Sequence, residues 1–461
     1  MRFFLLIILL WCAGMFLNSC RKDVFNTDPS FTLSFSRDTV MFDTVFTTQG
    51  SAVRRFRVFN TSNKRIKINS VSIAGGEASN FRLNVNGVPG KSFADVVIEP
   101  RDSIYIFAAV TIDPTDENNP FVVTDSIWFQ INGNQQKVLL MAYGQNAYFH
   151  YGERIQNDTI WPIDKPHVVI NSLVVDSFQT LYLQAGTRMY MHANSALFVY
   201  GTLNATGTKN DSIVFQGDRL ENYFKDLPGN WGYIRFLRSS EDNYLEHVII
   251  KDALIGVICD SLSNNTNYKV SLNKCVIKNM FYSGISAASG SVRAENCLIH
   301  SCGDYCAQLY YGGDYRFDHC TFANYSNTVI NHQKPSFLLT NFFVVNNIVY
   351  SFPFTNALIR NCIIYGGLED ELLVDSVNAS GYLFDYTFTN CNIRTTSSLD
   401  NNYLNTQQNQ NPLFEDFSEQ LFGLLSSSPC KNAGITIPGI TDDICDKPRD
   451  AQPDIGAYEI P

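Results

Sequence analysis

Leu272-Asn273-Lys274-Cys275-Val276-Ile277, Ala294-Glu295-Asn296-Cys297-Leu298-Ile299 and Phe317-Asp318-His319-Cys320-Thr321-Phe322 repeat one pattern. An apolar residue is followed by two turn residues, a Cys or apolar residue, any residue, and an apolar residue. The pattern also fits 245–250, 339–344, 359–364 and 388–393, so its fourth positions are 248, 275, 297, 320, 342, 362 and 391. The gaps are 27, 22, 23, 22, 20 and 29 residues. A period near 22 with strand-type alternation predicts a parallel β-helix, in which each coil lifts the chain by about 4.8 Å and stacks like residues on like. The residue before the fourth position (His247, Lys274, Asn296, His319, Asn341, Asn361, Asn390) is placed at a tight turn, where Asn tolerates the left-handed conformation. Cys275, Cys297, Cys320, Cys362 and Cys391 then share an inward register as a column of small, soft core side chains. A leucine-rich horseshoe has a similar period but needs a recurrent Leu framework that this chain lacks.

Outward from the repeat, residues 153–252 are also strand after strand, as in Leu181-Tyr182-Leu183 and Ile213-Val214-Phe215. From Phe31 to about Gly144 the chain alternates apolar and polar residues between turns such as Asn60-Thr61-Ser62-Asn63 and Asn132-Gly133-Asn134. Seven or so short strands in such a stretch predict an antiparallel sandwich. The expected organisation is all-β: a segment 1–19 read as a signal peptide, a tether 20–30, a sandwich 31–146, a right-handed parallel β-helix 147–411 and a C-terminal cap 412–461 that covers the open end of the coil. Composition agrees. Of 461 residues 13% are aromatic and only 17% charged, and 34 Lys and Arg against 44 Asp and Glu give a net charge of −10. That balance argues against a binder of nucleic-acid phosphates.

Phe3 to Leu17 is an uncharged run of 15 residues behind Arg2, shorter than the roughly 20 that cross a bilayer. It ends in Leu17-Asn18-Ser19-Cys20, which resembles a bacterial lipobox. The resemblance implies lipidation of Cys20, a membrane anchor and an outer-membrane location. Arg21-Lys22-Asp23 weakly resembles the surface-export signal of Bacteroidetes lipoproteins. Phe56-x-Val58-x-Asn60-x-Ser62 with Ile98-Glu99-Pro100 resembles Ig-like modules of the major-sperm-protein and abnormal-spindle type, here read as a spacer. Asn411-Pro412-Leu413-Phe414, Ser428-Pro429-Cys430 and Asp454-Ile455-Gly456-Ala457-Tyr458-Glu459 resemble the closing segment of bacterial pectate-lyase-like right-handed β-helix lipoproteins.

That fold serves enzymes and non-enzymes alike, so function rests on the site. The polygalacturonase set needs Asn-Thr-Asp, Asp-Asp, Gly-His-Gly and Arg-Ile-Lys on successive coils. Here Asn26-Thr27-Asp28 and Arg65-Ile66-Lys67 fall outside the coils, and Gly-His-Gly does not occur. No catalytic residues, metal-ligand spacing or cofactor are expected. His300, Asp304, Tyr305, Tyr310, Tyr311, Asp314, Tyr315 and Arg316 are the densest polar and aromatic group. Ring faces stack on sugars and carboxylates bond hydroxyls, so these eight are candidate glycan contacts, set against the simpler reading of a Tyr-rich solvent face with Asp in its turns. Lys251-Asp252 reads as a surface charge pair, and His192 and His332 as lone residues. Cys302 and Cys306 share a loop and are close enough in sequence to pair. Cys430 and Cys445 are expected to form a disulfide in the cap, closing a loop of 15 residues. The expected function is a tethered envelope lipoprotein acting as a structural or recognition rod, its partner an extracellular polysaccharide or an envelope protein, with no nucleic acid. A polysaccharide lyase or glycoside hydrolase working in a groove of the rod is the alternative.

Overall fold

A computed structural model describes residues 24–377 and 384–460. Cys20 lies outside the described residues. The chain divides between Asn146 and Ala147 into two compact units.

The first unit is a sandwich of two five-stranded sheets. Among the described strands all pairings are antiparallel except that of Thr39–Phe46, which runs parallel to Asn134–Gln145, and an isolated Phe25–Arg65 bridge is also parallel. Alternate residues such as Val58, Ile68, Ile106, Phe129 and Leu140 fill the core between the sheets. The buried Asn60 amide donates to the carbonyls of Lys64, Ile98 and Glu99 at 2.8, 3.1 and 2.8 Å. One side chain thus pins two turns.

The second unit is a parallel β-helix, a continuous sheet of 26 strands. Three walls follow from the register. The first wall stacks Leu197, Ile234, Val257, Ile285, Ala307, Phe337 and Leu372. The second stacks Ala205, Leu245, Leu272, Ala294, Phe317, Ile359, Phe388 and Tyr403. The third stacks Met189, Phe215, Ile250, Ile277, Ile299, Phe322, Ile364 and Ile393. These columns point inward and make one core.

The corner between the second and third walls is the predicted turn. His247, Lys274, Asn296, His319, Asn361 and Asn390 all have φ between 47° and 52°. The cysteines that follow them are fully buried free thiols. The Cys275 and Cys320 backbone N–H groups each donate to the sulfur one coil further on, Cys297 and Cys362, both at 3.4 Å. Cys302 and Cys306 are buried and also unpaired.

The unit at 339–344 departs from expectation. Thr321 registers directly with Ile363, so one coil spans the 42 residues from Cys320 to Cys362. Phe342–Val345 and Ile348–Ser351 form an antiparallel hairpin inserted in that coil. Its tip, Asn346-Asn347, has φ of 51° and 63°, as a two-residue primed turn requires. A pair of Asn residues served a hairpin here, not a coil corner.

The C-terminal segment also differs from a plug over the open end. It turns back along the third wall, and the corner residues hold it. Asn390 Nδ2 donates to Ala433 O at 2.9 Å, and Asn361 Nδ2 donates to Ile435 O at 2.7 Å while its Oδ1 accepts from Ile435 N at 2.9 Å. Arg449 Nη2 donates to Asn296 Oδ1 at 2.9 Å, and Lys274 Nζ donates to Asp442 at 2.9 Å. Outward Leu298, Ala323, Ile363 and Tyr365 are covered by Phe414, Phe422, Leu424, Cys430, Ile455 and Ala457 of this strap. Gly456 has φ 104°, and a Cβ there would lie 2.7 Å from Ile363 Cδ1, so only Gly fits.

The expected Cys430–Cys445 disulfide is not formed; both are free thiols. Cys430 is buried against the last coil, its sulfur accepting from Asn392 Nδ2 at 3.1 Å. Cys445 sits in a turn where its N–H donates to Asp443 Oδ1 at 2.7 Å. The wall supplies the core that a separate cap would have lacked, which removes the need for a staple.

Candidate functional site

The eight candidate glycan contacts do not converge. His300 is 2% exposed, lies 4.7 Å from the Phe422 ring of the strap, and is held neutral by burial. Tyr315 is fully buried inside the coil, where its hydroxyl donates to Gly312 O at 3.0 Å and accepts from Gly290 N at 3.0 Å. Both are core residues, and the glycan assignment fails for them. Tyr310 and Tyr311 pack edge-on at 4.4 Å, and Tyr311 meets Phe343 of the inserted hairpin at 4.7 Å. Asp314 and Arg316 face outward on the second wall. Arg316 Nε donates to Asp318 at 2.6 Å, and Arg360 also holds Asp318, so that ion network is closed on itself. Burial raises Asp314 above the usual carboxylate range.

Asp304 and Tyr305 belong to a different place, the corner that follows the third wall. Asp304 pairs with Lys334 at 3.0 Å, and Lys334 lies 5.3 Å over the Tyr305 ring. The backbone N–H of Asp304 donates to Tyr282 O at 2.8 Å, which places Tyr282 one coil before it. Phe281 and Tyr282 are 50% and 45% exposed and meet edge-on at 4.8 Å. Phe281 and Tyr282 on one coil, and half-buried Tyr305 on the next, thus make an aromatic ridge at this corner, with a carboxylate and an ammonium beside Tyr305.

The ridge borders a cleft. The segment 218–230 leaves the third wall, and its Gly229 abuts Phe281, whose Cβ would lie 3.5 Å from a Cβ at that glycine. The segment is tied down by Asn230 N donating to Asp252 O at 2.8 Å. Within it Arg219 pairs with Glu221 at 2.8 Å and lies 4.2 Å over the Phe224 ring. Beneath, a polar hollow of about 100 Å³ is lined by Gln216, Arg219, Lys225, Asn230, Lys251 and Asp252 among others. The strap also reaches this corner, with Gln420 Nε2 donating to Asn279 Oδ1 at 2.9 Å.

Lys251-Asp252 is therefore no exposed pair. Asp252 is buried in the left-handed conformation, φ 65°, and loss of solvent pushes its carboxyl up to about 6. Lys251 Nζ lies 3.4 Å from Asp252 and 3.6 Å from Asp226. Asn279 Nδ2 reaches both carboxylates, at 3.3 and 3.4 Å. Lys278 stacks directly after Lys251 in the parallel register. Burial, with Lys251 beside it, lowers its ammonium below the usual lysine range. Sequence reading missed this group because Asp226 is 26 residues from Asp252 and only coil stacking unites them. The signal was the break in alternation: Lys251 and Lys278 recur at the outward position where later coils carry His300, Ala323 and Tyr365.

The two lone histidines have partners. His192 Nδ1 contacts Asp218 at 2.6 Å, and buried His332 lies between Glu371 at 3.0 Å and Asn324 at 2.8 Å.

No family model matches the chain, and no curated protein matches it. Among solved structures, the catalytic unit of a thermostable GH87 α-1,3-glucanase from Streptomyces thermodiastaticus is 10% identical, over 74% of this chain and 75% of that one, with a TM-score of 0.26. A GH87 α-1,3-glucanase catalytic domain solved with tetrasaccharides is 8% identical over 77% and 86%, with a TM-score of 0.25. A family 123 glycoside hydrolase from Clostridium perfringens is 8% identical over 26% of this chain and 30% of that one, with a TM-score of 0.19. These neighbours hydrolyse glycans, but likenesses this slight carry no argument about this chain's activity.

Proposed function

We propose that the chain is a membrane-tethered envelope lipoprotein that recognises an extracellular polysaccharide through its β-helix. The observation that carries this reading is the exposed pair Phe281 and Tyr282 with half-buried Tyr305 on the next coil and Asp304 and Lys334 beside it. Apolar rings turned to solvent on stacked coils cost free energy unless a ligand covers them, and the faces of sugar rings suit them. Asp304 and Lys334 supply an acceptor and donors for hydroxyls. The sandwich serves as a spacer, and the lipid on Cys20 as the anchor.

A glycan-array screen of the intact protein tests this. Retention of a polysaccharide that is lost in a Phe281→Ala/Tyr282→Ala variant supports it; retention unchanged by the variant overturns it. A second reading, glycoside hydrolysis, is favoured by one observation. The Asp226 and Asp252 carboxyls share the Asn279 amide, which keeps the two bonded oxygens less than about 7 Å apart, an upper limit that admits the roughly 5–5.5 Å separation of a retaining carboxyl pair. Its test is release of reducing ends from the retained polysaccharide, abolished in Asp252→Asn.

A further inference from the structure

We propose that the outward face of one sheet of the sandwich is a seat on the bilayer, where Arg55, Arg57 and Arg82 meet the phosphates of anionic phospholipid. The proposal rests on the Cys20 anchor read above and adds a second, charge-driven contact with the same membrane.

Charge is divided unevenly between the two sheets. The strands Ser34–Phe35, Arg54–Phe59, Ser103–Val110, Phe81–Val85 and Val88–Gly90 make one sheet, with four arginines and no carboxylate. The other sheet carries Asp43, Asp95 and Asp125 alongside Lys67 and Lys137. Arg54 is paired to Asp43, but Arg55, Arg57 and Arg82 are exposed and have no carboxylate partner among the described residues. The alternation that buries Phe56, Val58 and Ile106 turns Arg55, Arg57 and Tyr105 to solvent. The Tyr105 ring lies 4.8 Å from the Arg57 guanidinium and 5.7 Å from that of Arg55, which orders both charges beside an amphipathic ring. Asp102, at the end of this sheet, is engaged by its own strand and accepts from Ser103 N at 2.7 Å. Ordered guanidinium groups without an internal counter-charge suit a surface of phosphates, which each fork can meet with two hydrogen bonds.

The length of the lead identifies the occupant. Phe25 bridges Arg65, Asn26 N donates to Arg65 O at 2.7 Å, and Asn132 Nδ2 donates to Asn26 O and Asp28 O, both at 3.0 Å. The chain is thus fixed to the sandwich from Phe25 on. Cys20 is five residue steps before it, a reach of at most about 18 Å. On so short a lead the sandwich stays within about two Debye lengths of the headgroups at physiological salt. The anchor also makes the contact intramolecular, so a face of low intrinsic affinity is held in place. The lead enters the body at Ser34–Phe35, the edge strand of the basic sheet and the neighbour of Arg54–Phe59. Each basic group at an anionic bilayer surface strengthens binding about fivefold.

The test is co-sedimentation with vesicles of phosphatidylcholine alone or with about 30% phosphatidylglycerol. The protein is the chain from residue 20 on, which contains every described residue, with Cys20→Ala so that no acyl chain contributes. Expected are binding to the anionic vesicles at about 20 mM salt, its loss by about 0.3 M, and none to phosphatidylcholine alone. Arg55→Gln/Arg57→Gln lowers the affinity about 25-fold, and Arg55→Lys/Arg57→Lys, which keeps the charge, stays within about threefold of native. Lys67→Gln/Lys137→Gln on the other sheet leaves it unchanged. Equal binding to neutral vesicles, or affinity unmoved by Arg55→Gln/Arg57→Gln, overturns the proposal. So does displacement by inorganic phosphate at matched ionic strength, which marks a small-anion site, or an arginine-dependent dimer formed without vesicles. The anchor is read separately, from the mass of the native chain recovered from membranes. An acylated Cys20 with an inert face sinks this proposal alone; an unmodified Cys20 with a binding face sinks only the anchor.

Discussion

Replacing Asn361 by Ala unlatches the C-terminal strap at its midpoint. The buried amide makes three hydrogen bonds: to Ile435 O at 2.7 Å, from Ile435 N at 2.9 Å, and to His319 Nε2 at 2.8 Å. Each is worth about 1 kcal/mol net. Ala must also hold φ 51°, at a further cost of roughly 1 kcal/mol. The local loss is then about 3–4 kcal/mol, or roughly 10²- to 10³-fold at about 1.4 kcal/mol per decade. Native-state hydrogen exchange reads it at Gly434 and Gly456, whose acceptors, Pro453 O and the Asn361 backbone O, survive the substitution. Asn361→Gly relieves the backbone cost and recovers roughly 1 kcal/mol, or about fivefold. Exchange at both glycines within about threefold of native would show that the corner residues do not hold the strap.

Acid should loosen the first coil. His167 is buried, bonded to His150 at 2.9 Å and to Pro162 O at 2.8 Å, and burial lowers it to about 4. Its folded pKa lies below the unfolded value near 6.5, so the unfolded state takes up the proton first. Stability is intact above pH 6.5 and falls by on the order of 3 kcal/mol toward pH 4; the melting temperature should drop over that window, and less so in His167→Asn. Thiol labelling of the native protein should modify Cys445 and spare Cys430, which reacts only after unfolding; a mass spectrum showing the two linked would contradict the structure. Cys20→Ala should release the protein from the membrane fraction, and unchanged membrane retention would remove the proposed anchor.

The coil was legible because stacking makes the sequence repeat: the left-handed corner and the column of cysteines follow from the spacing of Lys274-Cys275, Asn296-Cys297 and His319-Cys320 alone. What the spacing could not distinguish was local use of the same residue types. Asn346-Asn347 closes a hairpin, although Asn341-Phe342 ahead of it fits the repeat. The strap left a readable trace, since Leu298-Ile299, Thr321-Phe322-Ala323 and Ile363-Ile364-Tyr365 lose polar alternation where it lies. The expected site failed for a related reason. Residues 300–316 are neighbours in sequence, but an outward turn, a core tyrosine and a covered histidine follow one another within a single coil. The ridge and cleft draw instead on the third wall and its corner from several coils, at separations no local pattern records.

The most direct test of the central claim is a hydrogen-exchange footprint of the intact protein with the polysaccharide it retains. Protection confined to 216–230, 278–284 and 303–305, with no change at Asp314 to Arg316 or in the sandwich, is the predicted result. Protection on the second wall at Asp314 and Arg316, with the ridge unchanged, would contradict it.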